Sequence, residues 1–185
     1  MAKFLEYEQS RYLRSRSFEK KKEVPLNLVD EQAYVAYQKG SVALYALRDY
    51  IGESRLNEAL EEFMKHYSYR EAPYPTSADL LSYIEKATPD SLRYLSDDLF
   101  RSITLFSSRI DSATYTETPG GDYTIRLTAI AQKYRADSLG EQTEVRPNDW
   151  LDFGVYAEGK KGKDSLVLMK RVYVDSSRFS YRLTT

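Results

Sequence analysis

The chain has 185 residues, 27 Lys and Arg against 28 Asp and Glu, one histidine and no cysteine. That length suits one domain or two small ones, and the near-neutral charge argues against nucleic acid as a partner, since such proteins normally carry a basic excess. Without cysteine, and with His66 the sole imidazole, thiolate catalysis, disulfides and a zinc site built on two or more Cys or His ligands are excluded within these residues. The longest uncharged apolar stretch, Ser41–Leu47, falls far short of the roughly 20 residues of a membrane span, and no N-terminal segment has the pattern of a signal peptide.

Helical spacing of apolar residues runs to about Phe106. A first helix is expected over residues 3–19, fraying into Lys20-Lys21-Lys22 before Pro25 breaks the chain. A second should start with Asp30 as N-cap and end at Gly52 as the C′ glycine. Its apolar residues lie on several sides: Tyr34 with Tyr45, Val35 with Val42, and Leu44 with Leu47 and Ile51. Such a helix needs cover on several faces, and part of that cover is expected to lie outside this sequence. Gly40 interrupts the helix at a cost of about 1 kcal/mol relative to Ala, which suggests a close approach to the backbone there.

The third helix, residues 54–67, carries a stripe of Leu56, Leu60, Phe63, Met64 and Tyr67. Thr76 and Asp79 have the spacing of a capping box that opens a fourth helix containing Leu80, Leu81 and Ile84. Thr88-Pro89 has the form of an N-cap with proline at the first helical position, opening a fifth helix along Leu92, Leu95, Leu99 and Ile103.

Beyond Ser107 the residues favour strands. Pro119-Gly120-Gly121-Asp122 marks a hairpin turn between strands 108–118 and 123–134. Further strands are expected at 142–145, 150–157, 166–174 and 178–183. The fold class is therefore α+β: a helical bundle of about five helices over residues 1–106, followed over 107–185 by an antiparallel β-sandwich-like domain that is small enough to be incomplete.

Few residues offer chemistry by themselves. His66 lies off the apolar stripe of its helix, a surface or boundary position, and has no orienting partner in sequence. The acidic pairs Asp97-Asp98 and Asp149/Asp152 lack calcium-loop spacing and read as solvated or capping groups. From Arg11 to Glu23 the chain carries a local excess of positive charge, read as a solvated helix end in preference to a contact with an anionic membrane surface. By composition alone Tyr37 is a packing residue.

A resemblance changes the weight given to Tyr37. The segment Tyr34-Val35-Ala36-Tyr37-Gln38-Lys39-Gly40-Ser41, followed by Ile51-Gly52-Glu53, resembles the Tyr-x-Lys-Gly element of the aminopeptidase N family of zinc peptidases. Glu23-Val24-Pro25-Leu26, Ala72-Pro73-Tyr74-Pro75-Thr76, Asp98-Leu99-Phe100-Arg101-Ser102-Ile103-Thr104, Asp137-Ser138-Leu139-Gly140-Glu141 and Asp149-Trp150-Leu151-Asp152-Phe153-Gly154-Val155 resemble a bacterial branch in which the peptidase is fused behind an ABC-type transporter permease.

The resemblance implies that the Tyr37 hydroxyl stabilises the oxyanion of the tetrahedral intermediate of peptide hydrolysis. In the family the zinc-binding His-Glu-x-x-His motif precedes this element, and these 185 residues contain none. The chain is thus expected to be a C-terminal part of a larger zinc aminopeptidase, inactive alone and holding no cofactor itself. Its expected partners are the upstream zinc-binding part and, in the intact enzyme, a peptide. A homodimer could form through the face left exposed. The fused branch implies a membrane-anchored parent with the peptidase outside the cytoplasm. The alternative is a non-catalytic protein-binding or assembly module of similar fold.

Overall fold

The computed structural model describes residues 2–19, 22–159 and 164–185; Lys20 and Lys21, where the first helix was expected to fray, lie outside them. The architecture is α+β, helices first and antiparallel sheets after. Two compact units divide the chain, one comprising Met1–Thr104 with Ala136–Gln142, the other Leu105–Arg135 with Thr143–Thr185.

In the helical unit, α1 spans Ala2–Phe18. A single 3-10 turn, Leu26–Leu28, follows Pro25. Next comes a π-helical turn, Tyr34–Lys39, that runs without a break into α2, Gly40–Ile51. Asp30 is not the N-cap expected from the sequence: helical structure begins at Ala33, where the Gln32 carbonyl accepts from the amides of Val35 and Ala36. At the other end Gly52 does stop the helix, with φ +91°, a conformation that strains any residue with a Cβ.

α3 spans Glu53–Tyr67 and α4 spans Ser77–Ala87. Thr76 and Asp79 form the expected capping box, each side chain taking the other's backbone N–H. Leu56 is buried on α3, but Met64, placed on the apolar stripe by its spacing, is exposed near the helix end.

The expected fifth helix is not continuous. A 3-10 turn Asp90–Leu92, a single α-turn Tyr94–Ser96 and a π-helical turn Asp97–Arg101 take its place. Thr88 does not cap it either; its hydroxyl donates back to the Ile84 carbonyl at 2.7 Å, and Ile103 already begins a strand. Mixed hydrogen-bond registers let Leu95 and Phe100 both reach the core, which α-helical spacing would not place on one face. That core joins Ala43, Leu47 and Ile51 of α2 to Leu56, Leu81 and Ile84.

The second unit holds two sheets among the described residues. Strand β2 (Tyr123–Ala136) pairs with β1 (Ile103–Glu117), β3 (Gln142–Val145) and β6 (Arg178–Thr184), while β4 (Asp149–Ala157) pairs with β5 (Ser165–Val174). Alternation along β2 turns Leu127, Ala129 and Ala131 inward. There they meet Phe153 and Val155 of β4, Leu168 and Val172 of β5, and Phe179 and Leu183 of β6. Lys133 breaks the pattern: it continues the inward face of β2 and is buried against Asp149.

Candidate functional site

Tyr37 sits in the middle of the π-helical turn with 70% of its surface exposed. The turn itself is anchored on both sides of it. Upstream, Tyr34 and Val35 are buried, and Tyr34 stacks on Tyr12 of α1 with ring centroids 6.0 Å apart. Downstream, the Gly40 N–H reaches back to the Val35 carbonyl, five residues away, as π-helical bonding requires. The Ser41 hydroxyl donates to the Tyr37 carbonyl at 2.6 Å.

Beneath this turn lies a cluster of charge around Glu23, whose side chain is only 6% exposed. One carboxylate oxygen accepts from the Tyr12 hydroxyl at 2.8 Å and from the Lys39 amine at 2.9 Å; the other accepts from Arg16 Nε at 2.5 Å. Gln32 fixes the backbone on either side of Glu23, accepting from the Val24 N–H at 3.1 Å and donating to the Lys22 carbonyl at 2.8 Å. Burial pushes the Glu23 carboxyl up, but Lys39, Arg16 and Tyr12 together outweigh it and hold its pKa below the usual carboxylate range. Burial and the Glu23 charge push the Tyr12 phenol far up, and push Tyr34 up to about 12. The Tyr34 hydroxyl is buried with no hydrogen-bond partner among the described residues.

This cluster escaped the sequence reading. Arg16 and Glu23 lie within the basic run taken for a solvated helix end, yet they are ion-paired beside Lys39. One signal was present: Glu23 is an acid placed just before Pro25, and Lys39 stands two residues from Tyr37. Gly40 also differs from expectation. A Cβ there would meet Leu26 Cδ1 at 3.7 Å and the Val35 oxygen at 3.8 Å, ordinary contacts rather than a close approach.

The other candidates lie elsewhere. His66 is exposed on α3, its ring against Tyr67 with Arg70 Nη1 3.3 Å from its Nε2. Asp98 is buried rather than solvated. Asp149 is likewise buried, bound to Lys133 at 3.0 Å, and Asp152 is paired with Arg171 at 2.7 Å. Among the described residues no three His, Asp or Glu side chains are grouped so as to hold a metal. In the second unit a cleft of about 310 Å³ is lined by Ser108, Arg109, Ala131, Leu151, Asp152 and Phe179. Comparison with protein-family models finds no match to this chain, and comparison with curated proteins finds none.

Proposed function

We propose that this chain is the C-terminal part of a zinc-dependent aminopeptidase and that Tyr37 is its oxyanion-stabilising residue. The observation that carries the reading is a phenol held out to solvent from a turn whose flanking residues are locked in place. A hydroxyl so placed can donate to the oxygen of a peptide carbonyl as that oxygen gains charge. Such a donor costs little reorganisation at the moment of reaction and in comparable sites is worth about 2.7–4 kcal/mol. Metal and general base belong, on this reading, to a preceding segment.

A second feature fits. Phe4, Tyr7 and Phe18 are exposed on α1, and residues 4, 7, 11, 14 and 18 recur at spacings of three and four, which places them along one side of the helix. An exposed strip of three aromatics interleaved with Arg11 and Arg14 suits a contact with another body of protein, here the upstream part of the same polypeptide. In a protein-binding or assembly module the strip would instead meet a separate partner.

The test is the native gene product. Its mass should far exceed 21.5 kDa, and its peptides should include His-Glu-x-x-His upstream of Met1. In that protein Tyr37→Phe should slow peptide hydrolysis by roughly 10²–10³-fold with zinc content unchanged. A native product that begins at Met1, or equal rates for mutant and parent, would refute the peptidase reading and favour the binding module.

A further inference from the structure

The exposure of Tyr37 has a structural cause one layer below it. In the π-helical turn each bond spans five residues, so one more residue is accommodated than in an α-helical turn, and such turns are rare because α-helical bonding is the better alternative. A turn of this kind persists only where its surroundings fix both ends. Upstream the fixing is apolar: Tyr34 and Val35 are packed beneath Tyr12, Leu26 and Val29. Downstream it is ionic: the Lys39 amine, 11% exposed, binds Glu23 at 2.9 Å and lies 5.6 Å from the centre of the Tyr12 ring. Slipping the turn into α-helical register would rotate Lys39 by about one residue, roughly 100°, and pull its amine off the carboxylate. Tyr37 lies between the two anchors and would turn with it.

On the reading that Tyr37 stabilises an oxyanion, we infer that Glu23 is its positioning residue, holding the π-helical register through Lys39 so that the phenol keeps its outward aim. Glu23 suits the task because it ties three elements together. Arg16 and Tyr12 connect it to α1, Gln32 fixes its backbone, and Lys39 carries the constraint into the turn. It touches neither substrate nor reacting atoms and acts only through Lys39. Both cations are needed for the geometry: Arg16 takes one oxygen and Lys39 the other, leaving the carboxylate no freedom to rotate.

The experiment uses the intact peptidase with five variants: Tyr37→Phe, Glu23→Gln, Lys39→Met, Lys39→Arg and, as a control for lost stability alone, Ile84→Val in the core away from the turn. Each is measured for kcat, KM, thermal melting and amide hydrogen exchange over residues 34–40. Misplacing a catalytic group by about an ångström can cost up to 10²-fold. Glu23→Gln and Lys39→Met should therefore lower kcat at least tenfold with KM changed less than twofold. They should also speed exchange across the turn, while Lys39→Arg, which keeps charge and reach, restores most of the rate.

Two failures are distinguishable. If Tyr37→Phe is slow but Glu23→Gln and Lys39→Met match Ile84→Val in both kcat and exchange, the positioning role is overturned and the oxyanion role stands. If Tyr37→Phe is as fast as the parent, the oxyanion role falls and this inference with it. Should Glu23→Gln fail to fold, Lys39→Met and its rescue by Lys39→Arg decide the matter: equal rates for Met and Arg at position 39 would overturn the clamp.

Discussion

Replacing Lys133 with Met should unfold the sandwich unit well before the rest of the chain. The Asp149 carboxylate, 5% exposed, accepts from Lys133 Nζ at 3.0 and 3.2 Å and from the Asn148 N–H at 3.0 Å. At 3 Å and an effective dielectric near 20 the pair attracts by about 5 kcal/mol, but burying two charges consumes most of that while both are present. With Met at 133 the desolvation cost of the carboxylate stays and its main compensation goes. The expected loss is about 3 kcal/mol, the lower end of the range for breaking one side of a buried pair, because the Asn148 N–H remains.

For a unit of this size each kcal/mol moves the midpoint by roughly 4–8 °C, so Tm should fall by about 12 °C or more. Trp150 is the chain's one tryptophan, adjacent to Asp149 and packed on Tyr173 at 5.4 Å, so its fluorescence reports this unit. The double variant Lys133→Met with Asp149→Leu removes both charges from the interior and should return to within about 1 kcal/mol of the parent. A single variant within about 0.5 kcal/mol of the parent, or a double variant as unstable as the single, would refute the reasoning.

Two glycines of the same helix should respond with opposite signs in urea unfolding. Gly40→Ala meets only ordinary contacts in right-handed helical backbone and should stabilise by up to about 1 kcal/mol, whereas Gly52→Ala at φ +91° should cost about 1–2 kcal/mol; the same sign for both would contradict the backbone account. Acid should loosen the helical unit: with the Glu23 pKa lowered in the fold, its contribution is complete above the ordinary glutamate range, near pH 4.3, and is lost as pH falls through the lowered value. Helical circular dichroism during melts should show a smaller acid effect in Glu23→Gln than in the parent. Alkali acts from the other side. Tyr34 ionises near pH 10 when unfolded but only at about 12 when folded, so its contribution begins to fade above pH 10 and is gone beyond 12. Tyrosinate absorbance that rises fully by pH 10.5 in the folded chain would contradict this.

Part of the capping chemistry was legible without the fold, although the N-caps expected at Asp30 and Thr88 do not form. Thr76 with Asp79, Gly52 at a helix end, and the Pro119–Asp122 turn each depend on bonds within a few residues, so local sequence suffices to place them. The strand alternation that puts Leu127 and Ala129 on one face holds in the structure, with Ala131 continuing it, but it fails at the strand's start, where Tyr123 is exposed and Thr124 buried. Helical register was not legible in the same way. A wheel at 100° per residue assumes one bonding pattern throughout, and both Tyr34–Lys39 and Asp97–Arg101 depart from it.

The candidate site divides along the same line. Its tyrosine was found from the Tyr-x-Lys-Gly element, a local pattern in the sequence. What fixes that tyrosine's turn is Glu23, brought to Lys39 only because α1 and the chain after Pro25 fold back beneath the π-helical turn. Likewise Asp149, read from the sequence as a solvated or capping group, is buried in an ion pair with Lys133 when two sheets close. The sequence by itself determined the order of helices and strands and those stops and turns closed by bonds between near neighbours, such as Gly52 and the Thr76–Asp79 box; the starts expected at Asp30 and Thr88 were decided by packing instead. The tertiary structure alone decided which charges are buried and what aims Tyr37, because a charge enters an apolar interior only when a partner distant in sequence arrives with it.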